Sequence, residues 1–265
     1  MTHDKPFYSK LDKLALRTWP AALQETDGPW VLRVSGGVTK RANSVWTADG
    51  SGAWEPTAAN LTRFERAKTF YKEHCLPLRF HISDASPDGL DEWLAAQGFE
   101  MEIPCDFMIS DAEETLRQTA TRPVPGSGFS RVIESRPGDP WLDHFLQLEG
   151  FSEKSRSFYK GMFQRLEPSS TFIRLMDGAR CAALGTAVAE DGWAGFTNVV
   201  VHPELRGQGL GRGLLHALAE WSLEAGASHL FLQVISDNVP AVKLYGKAGF
   251  RKLFGYHYRV QGEAR

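Results

Sequence analysis

Cysteine is scarce in these 265 residues. Cys75, Cys105 and Cys181 are odd in number and far apart, which excludes a disulfide framework and gives no zinc-ligand spacing. No reactive-thiol signature flanks any of them, so they read as reduced and mostly buried. Long apolar runs are also missing. None approaches the roughly 20 residues that span a bilayer, and the opening Met-Thr-His-Asp-Lys-Pro has no apolar targeting core. The expectation is a cytoplasmic protein with no membrane partner. Neither sign of charge is in excess: 30 Lys and Arg against 32 Asp and Glu leave a net charge of −2, which offers no basic field for nucleic acid. With 42% hydrophobic and 23% charged residues the composition is that of an ordinary globular protein. The length suits two cores of roughly 100 to 150 residues better than one.

Glycine, by contrast, is concentrated. Residues 206–213 read Arg-Gly-Gln-Gly-Leu-Gly-Arg-Gly, between a strand-like stretch (Phe196 to Val201) and an amphipathic helical one (Leu214 to Glu224). Without Cβ atoms such a strand-to-helix turn crowds its backbone against a ligand. The unpaired N–H groups of the first helical turn then point at that ligand with the helix dipole behind them, so an anionic group is expected there. Neither Gly-x-Gly-x-x-Gly nor Gly-x-x-x-x-Gly-Lys-Ser/Thr can be drawn through these glycines. What remains is Arg-x-x-Gly-x-Gly, formed by Arg206, Gly209 and Gly211.

The rest of the chain falls into two halves. Thr115 to Gly128 is rich in Pro, Gly and small polar residues with no apolar period, and reads as a linker. The predicted division is 1–118, a linker at 119–129, and 130–265. Beyond the linker the spacing predicts two helices (Pro140 to Leu148, Glu153 to Leu166) and three strands joined by hairpin turns. The glycine turn and its helix follow, then a strand His229 to Ile235, a helix to about Lys247, and a last strand through Tyr256 and Tyr258. The first half closes in a similar order: a strand Leu78 to Ile82, a helix Asp88 to Ala96, and Gly98-Phe99 leading into a strand up to Ile109. Superposing Gly98-Phe99 on Gly249-Phe250 brings the two closures into register as an internal repeat. Pro87 then stands at the position of Asn238, Leu94 at that of Tyr245, and no Arg-x-x-Gly-x-Gly precedes the first half's long helix.

Residues 130–260 resemble the GNAT superfamily of acyl-CoA-dependent N-acyltransferases. Val199-Val-Val-His-Pro-Glu-Leu-Arg-Gly-Gln-Gly-Leu-Gly-Arg-Gly-Leu-Leu is similar to that family's central strand, pyrophosphate loop and helix. Asn238-Val-Pro-Ala-Val-Lys-Leu-Tyr-Gly-Lys-Ala-Gly-Phe is similar to its second signature. The resemblance implies an α/β fold with an α+β mixed sheet: two GNAT-like domains, each a mainly antiparallel twisted sheet flanked by helices, the first degenerate and the second catalytic. It also implies acetyl-CoA as acyl donor, a sheet that splays to admit the pantetheine arm, and a small-molecule or peptide amine as acceptor. Homodimerisation is left open.

On that resemblance Val199, Val200 and Val201 would pair their backbone with the pantetheine amides. Arg206, Gly207, Gln208, Gly209, Leu210, Gly211 and Arg212 would hold the pyrophosphate, Asn238 would contact the cofactor, and Tyr245 would act as general acid toward the departing thiolate. Asn238 also reads as a helix N-cap, and Tyr245 lies two helical turns beyond it on the same face. The base is harder to place, because Gly195 and Thr197, which alternation puts on the Val199 side of the strand, cannot serve near pH 7. Glu149 is taken as the tentative base, with Glu153, Glu190, Asp191 or a water relayed through Thr197 or Asn198 as alternatives; His202 reads as a loop residue. In the first half Thr39-Lys40-Arg41-Ala42-Asn43 gathers two cations beside a glycine turn, either a plain charged hairpin end or a contact for an acidic acceptor or a CoA 3′-phosphate across the domain interface. The rival to an enzyme is a non-catalytic acyl-CoA sensor, suggested by the missing strand carboxylate.

Overall fold

The computed structural model describes residues 4–120, 128–166 and 169–262. It divides into two compact units, Met1–Asp106 with Phe254–Arg265, and Phe107–Leu253. Relative to the expected halves, residues 107–118 and 254–265 trade sides. Most of the expected linker, residues 121–127, lies outside the described residues.

The first unit opens with α1 (Lys5–Arg17), whose N-cap Asp4 accepts from the Phe7 N–H at 3.1 Å, with Pro6 in the first turn. Sequence periodicity did not announce this helix, because its buried face carries the charged Asp12. There follow β1 (Leu23–Asp27), β2 (Trp30–Val34), β3 (Val45–Trp46), α2 (Ala58–Glu73), β4 (Arg79–Ser83), α3 (Leu90–Ala96) and β5 (Phe99–Asp111), which runs past the boundary at Asp106. β1, β2 and β3 are antiparallel neighbours, β3 runs parallel to β4, and the far edge of β4 pairs antiparallel with the chain's last strand, residues 256–260. One face of this sheet buries an aromatic core in which Trp30, Phe64, Phe80 and Phe99 meet at ring separations of 5.3 to 5.9 Å.

The second unit continues with α4 (Ala112–Thr119), β6 (Phe129–Glu134), α5 (Asp139–Glu149), α6 (Arg156–Gln164), β7 (Ser170–Asp177), β8 (Arg180–Glu190), β9 (Trp193–Val201), α7 (Leu210–Glu224), β10 (His229–Ile235), α8 (Val239–Lys247) and β11 (Arg251–Gln261), which crosses back at Phe254. β6 to β9 form an antiparallel meander and β10 adds to β9 in parallel. α4 and β6 were not foreseen. The buried side of α4 is Ala112, Thr115 and Thr119, without aliphatic residues to mark a period, and β6 is a half-exposed strand whose pattern is weak. Cys105 and Cys181 are buried, but Cys75 is exposed.

Small residues on β8 let α7 approach one face of the second sheet: a Cβ on Gly185 would lie 3.1 Å from Leu218 Cδ1 and 3.3 Å from Leu214 Cδ2. The opposite face is covered by α5 and α6 through Trp141, Phe145, Phe163 and Phe172. Trp141 stacks on Phe145 at 5.4 Å and meets Phe163 and Phe172 edge-on. This cluster fixes the C-terminal end of α5, where Gly150 (φ +70°) terminates the helix and the Phe151 N–H bonds back to Leu146 O at 2.9 Å. Among the described residues no helix is long and apolar enough to cross a membrane. Phe145, 1% exposed, is expected to be costly to truncate: Phe145→Ala should lower unfolding free energy by about 3 to 5 kcal/mol, read as a shifted urea midpoint with an unchanged slope.

Candidate active site

The parallel pairing of β10 with β9 runs only from His229–Trp193 to Leu232–Phe196. Beyond it β9 continues to Val201 and β10 to Ile235. The separation has a local cause in β9. Thr197 pairs with Thr186 and Val200 with Leu184, so Asn198 and Val199 face the single residue Gly185 of β8. Asn198 sits at φ +56°, the left-handed conformation that Asn tolerates better than most residues. A bulge of this kind bends its strand and adds twist, and it leaves the β10-facing backbone edge of residues 197–201 available to an extended, amide-bearing chain. The bulge also corrects the simple alternation: Thr197 shares its face with Val200, and Val199 is thrown to the other side.

The glycine turn follows directly. Gly207 and Gly209 take φ +79° and +83° with open space where a side chain would stand. Gly209 is the N-cap of α7 and offers no side-chain cap, so the first-turn N–H groups of Leu210, Gly211 and Arg212 await an acceptor. Gly211 serves packing instead, since a Cβ there would lie 2.9 Å from Leu244 Cδ2 and 3.6 Å from Val201 Cγ2. Arg206 is exposed. The guanidinium of Arg212 turns aside to donate to Ala120 O at 2.8 Å, which leaves that residue its backbone N–H to offer an anion. At the start of α8 Asn238 Oδ1 accepts from the Ala241 N–H at 3.3 Å. Two turns on, Tyr245 is 8% exposed, with its ring 6.1 Å from that of Phe250.

Of the acidic candidates, Glu149 is the one whose charge reaches Tyr245 and Tyr159. It is exposed by surface area yet crowded enough by protein that burial pushes its carboxyl above the usual glutamate range. Burial, and secondarily the Glu149 charge, raises the Tyr245 phenol to about 12. Tyr159, 3% exposed and stacked 5.1 Å from Phe151, is likewise raised to about 12 by burial first and by Glu149 second. Its place here was not apparent beforehand, since a Tyr in the run Phe158-Tyr159 looks like core. Glu153 pairs with Arg156 on the surface, and Glu190 and Asp191 sit at the opposite end of β9, about 20 Å of strand away. His202 lies in the loop after β9, where its ring accepts from the Glu204 N–H at 3.3 Å.

The first unit repeats this scaffold with the opposite outcome. Gly98 and Gly249, at φ +84° and +95°, end α3 and α8 in the same way before a Phe. The parallel pair β3–β4, however, stays tied beyond its last strand residues. Thr47 Oγ1 donates to His81 O at 2.8 Å, the Gly50 N–H to Ala85 O at 3.0 Å, the Asp88 N–H to Gly52 O at 3.0 Å, and the Trp54 N–H to Asp88 O at 2.7 Å. The N-terminus of α2 is capped by Thr57, whose hydroxyl accepts from the Asn60 N–H at 3.3 Å. In this unit strand edge and helix end are both satisfied internally.

Comparison with known proteins establishes the class that this geometry defines: the chain is a GNAT-superfamily N-acetyltransferase, an enzyme that takes its acyl group from acyl-CoA. It belongs to the family described as the probable histone acetyltransferase Rv0428c C-terminal, whose model matches residues 9–259. The uncharacterized N-acetyltransferase YobR of Bacillus subtilis is 40% identical over 255 residues, 95% of this chain and 98% of the relative. Among solved structures, a GCN5-related N-acetyltransferase from Kribbella flavida superposes with a TM-score of 0.74 at 16% identity, covering 98% of this chain and 96% of that one. A tandem GNAT protein from the clavulanic acid biosynthesis pathway gives 0.63 at 16% identity, covering 80% and 73%. These relationships do not favour the sensor reading.

Two outcomes are expected. Gly209→Ala forces an alanine to φ +83°, at a cost of about 1 to 2 kcal/mol, and should weaken acetyl-CoA binding about tenfold or more by calorimetry. Gly213→Ala, whose Cβ would make an ordinary 3.9 Å contact with Leu175, should leave binding unchanged and stabilise α7 by up to about 1 kcal/mol. Calorimetry should also return one equivalent of acetyl-CoA per chain, because the strand pair of the first unit is tied shut.

Proposed function

We propose that the enzyme transfers an acetyl group from acetyl-CoA directly to a primary amine, with Glu149 as the base and Tyr245 as hydrogen-bond donor to the departing sulfur. What carries this reading is that Glu149, at the end of α5, lies near enough for its charge to act on the Tyr245 phenol of α8. The residues present fit the donor. The left-handed glycines and the uncapped N-terminus of α7 suit a pyrophosphate, held by the backbone of residues 207–212 with Arg206 adding charge. The freed edge at Val199, Val200 and Val201 suits the amides of a pantetheine arm, and Asn238 stands at the N-terminus of α8 in the chain's second signature. Bound acetyl-CoA would supply a thioester carbonyl already activated toward amines.

The chain's own groups then manage protons. A neutral amine must shed one as it forms the amide, and a carboxylate with a raised pKa is a stronger base than an ordinary one. Tyr245, at about 12, is a weaker acid than a thiol near 8.5. Its part is therefore to hold an O–H against the charge developing on sulfur, while the proton released by nitrogen ends on the thiol. Burial that raises Tyr245 is useful in this role, because the phenol stays protonated throughout the neutral range.

Glu149→Gln is expected to lower kcat by about 10² to 10⁴-fold and to abolish the acidic limb of the pH–rate profile, which in the parent should fall as pH drops through a value above that of an ordinary glutamate. The folded chain binds the Glu149 proton more tightly than the unfolded one, so the stability linked to this group is lost as pH rises through the raised pKa. The Gln variant should thus be at least as stable as the parent at neutral pH in thermal melts, separating a catalytic loss from a folding defect. Tyr245→Phe should lower kcat about 10²-fold with little change in acetyl-CoA affinity. Thiol release from acetyl-CoA with a panel of amines measures the rates, and an unchanged acidic limb in Glu149→Gln would remove that residue from the mechanism.

A further inference from the structure

The first unit holds a second group of chemistry-bearing side chains that acyl transfer does not use. Arg33 on β2, His81 and Ser83 on β4, and Tyr256 and Tyr258 on β11 share the sheet face that α1 covers, as the strand register requires. Arg41 joins them from the β2–β3 connection and Cys105 from β5. Charge is out of balance here. The carboxylate among them, Asp12, is 1% exposed and already accepts from His81 Nε2 at 2.9 Å and Ser83 Oγ at 2.8 Å. Against it stand two guanidiniums. Arg33, also 1% exposed, spends its donors on main-chain carbonyls, Arg41 O at 2.6 Å and Trp19 O at 2.5 Å, and its Nε has no partner.

Arg41 is the accessible member of the pair. It is partly open to solvent, lies over the ring of Trp19 at 5.2 Å, has the Tyr256 and Tyr258 hydroxyls within electrostatic reach, and makes no ion pair among the described residues. The nearby Glu102 carboxylate is taken by Lys40 at 3.0 Å and Arg79 at 3.2 Å. Tyr258 is 5% exposed, and its hydroxyl has no hydrogen-bond partner among the described residues. The loop that carries Arg41 is held rigid by Asn43, whose Oδ1 accepts from the Ser35 and Gly37 N–H groups at 2.7 and 3.0 Å and whose Nδ2 donates to Thr39 O at 2.6 Å. Beside the phenols, Ile103 is held at φ +49°, a strained conformation for a β-branched residue of a kind that gathers at ligand sites.

We propose that Arg41, Tyr256 and Tyr258 form a binding site for a small oxyanion, the carboxylate or phosphate group of a small molecule, within the first unit. A guanidinium fork held over an indole presents paired N–H donors, and an oxyanion accepts them bidentately. The phenol O–H groups supply further donors without adding charge. One bound negative charge offsets the excess left by Arg33 and Arg41, which a desolvated site otherwise carries at a cost.

The test is titration of the ¹⁵N-labelled full chain with sodium acetate and, separately, with inorganic phosphate at constant ionic strength. The arginine Nε–Hε resonances are followed, with that of Arg41 identified by its loss in Arg41→Lys. A saturable shift of the Arg41 resonance, with a dissociation constant raised about tenfold in Tyr258→Phe and acetyl-CoA binding unchanged in both variants, is the expected result. A response to acetate alone assigns a carboxylate, to phosphate alone a phosphoryl group, and to both the shared oxyanion chemistry. An Arg41 resonance that neither anion moves at tens of millimolar, or that moves with the same dissociation constant in Tyr258→Phe, overturns the proposal. Tyr258→Phe removes a single buried hydroxyl, and should Arg41→Lys fail to fold, loss of the resonance in Arg41→Gln identifies it instead, so the comparison survives.

Discussion

The separation of β9 from β10 after Phe196 and Leu232 is the constraint on which the second unit depends. Two parallel strands that diverge leave backbone donors and acceptors without partners, and such groups are costly to bury unless something else meets them. The bulge at Asn198 creates that condition at the one place where the chain then enters a glycine turn and an uncapped helix. Strand edge and helix end thus present their unmet polar groups one after the other along the sequence. The aromatic packing of α5 and α6 brings the end of α5 within electrostatic reach of the same region, so that a carboxylate and a phenol respond to one another.

The first unit shows the same scaffold when those groups are satisfied from within. Thr47, Ser86 and the 50–54 backbone tie β3 and β4 together where β9 and β10 part, and Thr57 caps the helix whose counterpart is bare. One repeat therefore keeps an opening that ligand or water must fill, while the other has closed it with its own side chains. The closed repeat has instead accumulated a polar face of its own, with arginines that outnumber the carboxylate beside them.

Much of the second unit was legible because its signals are local. The glycine run, the Asn238 cap and the strand limits of β9 and β10 follow from φ preference, capping chemistry and apolar period, and each emerged where it was expected. Elements that depend on distant partners were not legible. α1 hides a charged Asp12 that only His81 and Ser83 make acceptable in the interior, and α4 buries threonines that bond to Ser110 and to its own backbone. Glu149 could be named only as one of several acidic residues, since nothing in the sequence around it distinguishes a crowded carboxylate from a fully solvated one.

By itself, then, the sequence determined the family, the glycine turn and the helix that carries Asn238 and Tyr245, since each is a property of contiguous residues. Tertiary structure alone decided that Asn198 bulges, that β9 and β10 part, that the charge of Glu149 acts on Tyr245, and that the last strand of the chain pairs with β4 of the first unit. Those outcomes rest on which strand lies beside which and on what each side chain meets there. Strand pairing and burial are fixed between residues remote in sequence, so no local pattern encodes them.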